Sequence, residues 1–477
     1  MPKQITGKSV AKNITLSVLV QAVSLVVGFV MNLIVPKYID EYQYSYWQTF
    51  LLYAQYVGIL HFGLIDGIVL RYSQYDYEEL DKKAVRSQYV AVMFIDALIS
   101  IALFASAFLF FSGVNRIIVI LVSIVVIPSI TYNYVSFTFQ TTNRISKYAQ
   151  YIMLDRCLYC GLVIACLLLG YKNAYWYCVA YISAHFISIF IFGFRYSSKL
   201  FFGKLLPLKE LKTDLAKTIA AGVWLMIASY SANLVVGFGK MIVQWRWDEL
   251  TFGKVSLAYS LTTFVLHFVT AISVVLFPSI KRLDPEKLPN LYKSIRNGIS
   301  PFLLLALICY FPGSYILKLW LPKYAASIVY LGILLPIIVY TSKVSLLTNN
   351  YLKAYRKEKT LLVINLASVA FSFVLFLFIA YVIKNLYALL FAIVGVIMLR
   401  SIVSEIVVAK IINVKMSFDI ILEVIITNFF ILCTILFSRT IGCLLYMLAL
   451  VIYFIIKRKS IAMLLSKAAR FIPEKSN

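Results

Sequence analysis

The stretch IIVILVSIVVIPSITYNYVSFTF, residues 117–139, decides the fold class of this chain. It contains no Asp, Glu, Lys or Arg, and an α-helix needs a run of about 20 apolar residues to cross a bilayer. Arg116 stands before it, and Arg144 and Lys147 follow it, so charged residues begin where the apolar stretch ends. The stretch therefore predicts a transmembrane helix.

Similar stretches recur from one end of the chain to the other. The sequence is 62% hydrophobic, with a mean hydropathy of +0.88. Because repeated apolar runs of this length identify transmembrane helices, we predict an all-α integral membrane protein. About fourteen spans are expected, at residues 13–35, 44–66, 88–111, 117–139, 145–169, 174–194, 217–239, 252–277, 297–317, 325–348, 360–383, 386–409, 417–437 and 440–456.

The basic residues indicate the orientation of these spans. With the N-terminus placed in the cytoplasm, 32 of the 45 Lys and Arg residues fall in inner segments and nine in outer segments. Since Lys and Arg are retained on the cytoplasmic side, we predict a multi-pass protein of the bacterial cytoplasmic membrane with both termini inside. Its net charge of +25 then suits an anionic leaflet, so we expect membrane lipids and no nucleic acid as partners.

The first twelve spans read as two related halves of six. Ala11-Lys12 opens the first span and Ala216-Lys217 opens the seventh, while residues 139–144 and 351–356 close the fourth and the tenth. Such a parallel repeat places a binding site between the halves. We predict a six-helix bundle at 1–198, a cytoplasmic linker at 199–216, a second six-helix bundle at 217–412, two additional helices at 413–456 and a basic tail at 457–477.

Polar residues form stripes on several predicted spans. On the first span Gln21 and Asn32 share one helix face with Asn13, and Asn233 lies on a similar stripe of the seventh. Such stripes either pack helices together or line a hydrated cavity, and their recurrence in equivalent spans favours the cavity. The predicted sugar-binding residues are Asn13, Gln21, Asn32, Tyr53, Asn233, His267 and Tyr340.

Four cations lie inside predicted spans, where a charge is costly and indicates function. Lys343 either extends to the cytoplasmic interface or binds an anionic headgroup. Arg156 follows Asp155, and the two either neutralise each other, pair with neighbouring helices or serve a ligand. Lys254 lies at an outer helix end, and Arg400 lies close to Glu405 with pairing left open. The predicted headgroup-binding residues are Lys343, Arg156 and Lys254.

The acidic residues within spans are candidates for a coupling-ion site. Asp96 and Asp155 are the deepest, and we predict them as Na⁺ or H⁺ sites. Asp66 and Glu423 lie close enough to an interface to need no function.

Motifs for catalysis or metal binding are missing from the sequence. It contains no GxxxxGK[ST], HExxH or GxSxG pattern. Cys157 and Cys160 form a CxxC pair, but within a predicted span and without a second Cys or His pair nearby. We therefore expect no enzyme, no cofactor and no metal site.

Three short segments resemble the bacterial polysaccharide transporters, the family of the O-antigen and teichuronic-acid flippases. They are Lys12 with Asn13, LHFGLIDG at 60–67 with Arg71 and Tyr72, and WLPKY at 320–324. The resemblance covers nearly the whole chain. The family's superfamily also holds multidrug and toxin extruders and the peptidoglycan-precursor flippase.

The resemblance implies two six-helix bundles in a V around a cationic cavity, with two additional C-terminal helices. It also implies a lipid-linked oligosaccharide of the undecaprenyl-diphosphate type as substrate. This chain departs from the peptidoglycan-precursor branch in having a neutral stripe on its first span, which leaves Lys343 and Arg156 as the diphosphate partners.

The expected function is a flippase for cell-surface polysaccharide assembly, such as O-antigen or capsule. It moves its substrate from the inner to the outer leaflet by alternating access, beside the polymerase and glycosyltransferases of the same pathway. One alternative is a cation-coupled multidrug exporter, which should have an acidic cavity, whereas this cavity is expected to be neutral to basic. A weaker alternative is a membrane glycosyltransferase or polymerase, which should have a large outer loop.

Overall fold

The computed structural model describes residues 7–282, 288–414 and 416–469, and it describes side chains at 15–16, 18–231, 233–266, 288–414 and 416–458. Almost all of these residues are helical. In chain order the helices are α1 (Gly7–Phe29), α2 (Val35–Tyr38), α3 (Glu41–Val57), α4 (Leu64–Tyr72), α5 (Lys82–Phe110), α6 (Gly113–Thr141), α7 (Ile145–Leu168), α8 (Ala174–Ser188), α9 (Phe194–Phe201), α10 (Leu208–Arg246), α11 (Glu249–Arg282), α12 (Leu288–Leu307), α13 (Tyr310–Trp320), α14 (Ala325–Leu334), α15 (Ile337–Lys343), α16 (Asn349–Ala354), α17 (Glu358–Phe378), α18 (Leu386–Ile411), α19 (Ser417–Leu436) and α20 (Arg439–Ala469).

Many of these helices are long and apolar enough to cross a membrane. Within the described residues there are ten such helices, or up to 13 if each of three bent pairs forms one span. The prediction of an all-helical multi-pass membrane protein is confirmed. The count of fourteen and the V arrangement stay predictions.

Two of the three bent spans have a cause of bending in their backbone or sequence. The span from Glu41 to Tyr72 bends by 53° between α3 and α4, where Phe62 and Gly63 adopt positive φ angles of 52° and 84°. The span from Pro322 to Ala354 bends by 43° between α14 and α15. Pro336 stands at this second break, and proline lacks the N–H that a continuous helix requires.

Side-chain caps begin several of the spans. Asp40 accepts a hydrogen bond from the Tyr42 N–H at 3.0 Å at the start of α3, and Asp81 accepts one from the Ala84 N–H at 3.0 Å at the start of α5. Such caps satisfy N–H groups that have no partner within the helix. The polar residues between the apolar stretches therefore set where the helices begin.

The ends of α6 and α16 share one hydrogen-bonding pattern. Asn143 and Arg356 both have positive φ, at 56° and 53°. The next residue donates its N–H to the carbonyl five residues earlier in both cases, from Arg144 to Phe139 and from Lys357 to Leu352. These are the two segments that the sequence pairs as repeat equivalents. The same pattern also ends α18, at Asn413 and Val414, so the repeat stays a prediction.

Contacts within the chain define two compact units, Met1–Ser256 and Leu257–Asn477. The helix α10, which the sequence assigns to the second bundle, belongs to the first unit and packs along α4. The packing is backbone against backbone, since a Cβ on Gly67 would lie 2.0 Å from the Thr218 carbonyl oxygen and one on Gly222 would lie 2.1 Å from the Gly63 carbonyl oxygen. The boundary predicted at 199–216 stays a prediction.

Candidate substrate-binding site

The first unit contains a polar cavity of about 410 Å³, a size typical of small-ligand sites. Helices α3, α6, α7, α8 and α10 supply its walls. The wall is mostly polar or aromatic, formed by Ala54, Gln55, Gly58, Ser129, Tyr132, Asn133, Asp155, Arg156, Tyr159, Tyr181, His185 and Tyr230. We call it the Arg156 cavity.

Arg156 brings a cation with spare hydrogen-bond donors to this cavity. Its Nη1 lies 3.4 Å from the Val20 carbonyl oxygen, while a guanidinium carries five N–H donors. Asp155 and Arg156 are consecutive residues of α7, so their side chains leave the helix in different directions, and the two form no ion pair in this structure. Arg156 is therefore placed to bind an anion.

Asp155 is held by the neighbouring helix α8. One of its carboxylate oxygens lies 2.7 Å from Nδ1 of His185 and accepts a hydrogen bond from the Ser188 hydroxyl at 3.1 Å. The Tyr132 ring stacks on the His185 ring, with 4.7 Å between centroids. These contacts direct the Asp155 carboxylate to α8, and among the described residues no carboxylate forms an ion pair with Arg156.

Tyrosine rings form much of the remaining wall. Tyr159 and Tyr181 meet edge to face at 5.2 Å, and Trp47 donates its indole N–H to the Tyr159 hydroxyl at 3.2 Å. A tyrosine offers an apolar ring and a polar hydroxyl. Such a wall suits a ligand with both apolar faces and hydroxyl groups.

A second and larger cavity, of about 1110 Å³, lies between α4, the loop that follows it, the C-terminal part of α6 and the middle of α10. We call it the inner vestibule. It is lined by Asp66, Val69, Ser73, Gln74, Tyr75, Asp76, Glu79, Phe137, Gln140, Thr141, Asn143, Leu225 and Ser229.

The inner vestibule lies within the first unit, and its charge differs from the neutral to basic lining that the sequence predicts for a cavity between the halves, which stays a prediction. Asp66, Asp76 and Glu79 are its charged lining residues, and all three are acidic. Three basic residues that lie close in sequence to the lining have partners of their own. Arg71 pairs with Asp214 at 2.7 Å, Lys82 lies 3.5 Å from Glu78, and Arg144 donates to the Tyr196 carbonyl at 3.0 Å.

In the second unit, Lys343 lies in a buried ion cluster. Its Nζ is 2.8 Å from a Glu405 oxygen and 3.0 Å from the Glu423 carboxylate. Arg296 also pairs with both carboxylates, and the four side chains are each 2% exposed. Arg296 lies 3.6 Å from Asp419, which pairs with Lys457. Lys343 therefore does not extend to an interface, and a role in headgroup binding requires this cluster to open.

The sequence does not indicate this cluster. Arg296 immediately precedes the span predicted at 297–317, and Glu423 is predicted to lie close to an interface, whereas both are buried. The pairing of Glu405 with Arg400 is open in the sequence, and the structure pairs Glu405 with Arg296 and Lys343. The partners lie 62 to 127 residues apart in the chain, so no local spacing could indicate them.

Other predicted site residues make contacts outside the two cavities. Lys254 pairs with Glu41 at 3.3 Å. The Tyr53 hydroxyl donates to Gln244 at 2.7 Å and accepts from the Trp245 indole at 3.1 Å. The Tyr340 hydroxyl lies 2.5 Å from the Thr427 hydroxyl and is buried. Their roles in substrate binding stay predictions.

Gln21, Asn32 and Asn233 line neither of the two cavities, whereas Ser229, one turn before Asn233 on the same stripe of α10, lines the inner vestibule. Gln21 and Asn32 are partly exposed, and Asn233 is exposed, with its carbonyl 3.5 Å from the Tyr56 hydroxyl. The side chains of Asn13 and His267 lie outside the described residues. The sugar-binding role of this set stays a prediction.

Asp96 is fully buried on α5, and neither of its carboxylate oxygens has a hydrogen-bond partner within the described part of the chain. An isolated carboxylate is costly to bury as an anion, so a neutral or cation-bound form is favoured. Its coupling-ion role stays a prediction, as does that of Asp155.

Solved structures of similar fold are transporters and flippases. The lipid II flippase MurJ in an inward closed conformation matches with a TM-score of 0.68 and 11% identity, over 94% of this chain and all of that one. An inward-facing multidrug resistance MATE family transporter of the MOP superfamily matches with a TM-score of 0.61 and 15% identity, over 81% of this chain and 94% of that one.

An outward-facing transporter of the same MATE family matches with a TM-score of 0.55 and 14% identity, over 84% of this chain and 96% of that one. At these identities the matches show the fold. No curated protein sequence matches this chain. The sequence profile described as polysaccharide biosynthesis protein matches residues 10–284, which is more than half of the chain. The chain belongs to the polysaccharide biosynthesis protein family.

Proposed function

We propose that this protein is a flippase that moves a polyprenyl-diphosphate-linked oligosaccharide from the inner to the outer leaflet of the cytoplasmic membrane. Membership of the polysaccharide biosynthesis family supports a role in glycan assembly. The fold shared with a lipid II flippase supports the transport of a lipid-linked substrate. The product would serve a cell-surface polysaccharide such as O-antigen or capsule, together with the glycosyltransferases and polymerase of that pathway.

One observation carries the proposal. Arg156, on the membrane-spanning helix α7, presents hydrogen-bond donors to a polar cavity. A guanidinium matches phosphate oxygens in geometry and binds them with two parallel hydrogen bonds. Each polar group of the headgroup costs several kcal/mol to move into hydrocarbon unaided. A cavity that supplies a cation and hydroxyl groups replaces the lost hydration.

The acidic inner vestibule favours a second candidate, a cation-coupled multidrug exporter. Three carboxylates line it, and acidic lining attracts organic cations. The same fold is found in MATE family transporters. The two candidates differ in the charge of the group that they carry, so one assay can separate them.

The test is transport by the purified full-length protein in liposomes. The flippase proposal predicts protein-dependent translocation of a fluorescent undecaprenyl-diphosphate oligosaccharide, measured as loss of protection from a membrane-impermeant quencher. A cationic dye should not be moved under a Na⁺ or proton gradient. Dye transport without translocation of the lipid would overturn the proposal in favour of the exporter.

A further inference from the structure

We infer that the inner vestibule is the glycan subsite of the substrate and that it selects a neutral or amine-bearing glycan over an acidic one. The inference rests on the proposed function, since it assigns the diphosphate to the Arg156 cavity. It adds the chemical class of the sugar, which neither the family nor the fold specifies.

The two cavities lie along the same helices. On α6, Asn133 lines the Arg156 cavity and Phe137 lines the inner vestibule, one helical turn apart. On α10, Tyr230 lines the first cavity and the adjacent Ser229 lines the second. A ligand with its diphosphate at Arg156 therefore places the attached sugars along α6 and α10, in the vestibule.

The vestibule has the groups that bind sugar hydroxyls. Gln74, Gln140 and Asn143 line it, and each amide both donates and accepts hydrogen bonds, as each hydroxyl does. Tyr75 and Phe137 add aromatic faces to the lining. Its volume of about 1110 Å³ is more than twice that of the Arg156 cavity, so it has room for a part of the ligand larger than the diphosphate.

The charge of the lining sets the selectivity. Asp76 and Glu79 are exposed at the vestibule and Asp66 lies deeper. Arg71, the basic residue nearest in sequence to the lining on α4, has its guanidinium bound to Asp214. A uronate or sialate placed here would meet like charges at close range, whereas a hydroxyl or ammonium group can donate to the carboxylates.

The experiment measures binding of three farnesyl-diphosphate probes to the full-length protein in lipid nanodiscs. The first probe carries no sugar, the second carries a neutral N-acetylglucosamine trisaccharide, and the third carries the same trisaccharide ending in glucuronic acid. Two variants are compared with wild type, the double variant Asp76→Asn with Glu79→Gln and the control Glu210→Gln. Glu210 is exposed in the first turn of α10 and does not line the vestibule.

We expect wild type and the Glu210 control to bind the neutral-sugar probe about tenfold more tightly than the acidic one. This ratio should fall as the salt concentration rises. The double variant should reduce that ratio to about threefold or less, with unchanged affinity for the sugar-free probe. Equal binding of both sugar probes by wild type would overturn the inference and leave the diphosphate site intact. Failure to bind any probe, with binding of tetraphenylphosphonium, would instead overturn the proposed function.

Discussion

At the scale of single residues, the charged groups inside the membrane divide into two classes. Arg156 faces a cavity with most of its donors available, while Lys343 is enclosed by the carboxylates of Glu405 and Glu423. The sequence shows both residues as cations within apolar spans, and it could not separate them. The two residues differ in the helices that pack around them. For Lys343, these helices carry Glu405 and Glu423 and are distant in the chain.

We predict that His185→Ala weakens diphosphate binding by about tenfold. The Asp155 carboxylate, released from His185, would turn toward Arg156 and compete with the ligand. Binding of farnesyl diphosphate in nanodiscs measures the effect, with the exposed Cys157→Ser on α7 as a control. Adding Asp155→Asn to the His185 variant should restore affinity. Unchanged affinity in His185→Ala would show that the pair does not keep Arg156 available.

We predict that Lys343→Met destabilises the protein by about 3–5 kcal/mol, because removing one member of a buried ion cluster leaves an opposite charge unpaired. Adding Glu405→Gln should recover part of the loss, since the cluster regains charge balance. Thermal unfolding in detergent measures both effects, and the exposed Lys318→Met is the control. A fully stable Lys343→Met that loses farnesyl-diphosphate binding would instead support the headgroup role predicted from the sequence.

At the scale of helices, hydropathy located the spans but not their bends. The predicted span 117–139 lies within α6 and 386–409 lies within α18. The span predicted at 44–66 is instead broken between α3 and α4. Its break depends on the positive φ of Phe62 and Gly63 and on close packing against α10. The apolar content of a segment does not predict such tertiary contacts.

The contact of α4 with α10 gives a prediction at this scale. Gly67→Val should cost about 3 kcal/mol or more, because its side chain would overlap the α10 backbone at Thr218. Gly161→Val is the matched control. Gly161 lies within α7, and no described atom outside the helix lies within 4 Å of the position that its Cβ would take. The yield of monodisperse protein and the unfolding midpoint measure the difference. Equal values for the two variants would contradict the close approach of α4 and α10.

At the scale of the whole molecule, composition and charge distribution predicted the class correctly. The excess of Lys and Arg in alternate segments also predicts the orientation, but it does not indicate the acidic lining of the inner vestibule. Most of those basic residues set the predicted topology, because they are attracted to the anionic inner leaflet. Which side chains line the opening depends on ion pairs such as Arg71 with Asp214, whose members are far apart in sequence.

The predicted orientation can be measured by cysteine labelling in intact cells, in a background without the native cysteines. Asn173→Cys, between α7 and α8, should react with a membrane-impermeant maleimide from outside. Gln74→Cys, between α4 and α5, should react only after permeabilisation, because its segment is predicted to be cytoplasmic. The reverse pattern would place the vestibule on the outer side.

The central claim is that Arg156 binds the diphosphate of a lipid that the protein translocates. The most direct measurement is the translocation rate of fluorescent undecaprenyl-diphosphate oligosaccharide in liposomes containing wild type, Arg156→Gln or Arg116→Gln. Arg116 contacts the Phe111 carbonyl at the start of α6, outside the cavity wall. We predict a loss of at least about tenfold for Arg156→Gln, equivalent to one charge-assisted contact, and no loss for Arg116→Gln. Wild-type translocation by a folded Arg156→Gln protein would contradict the account.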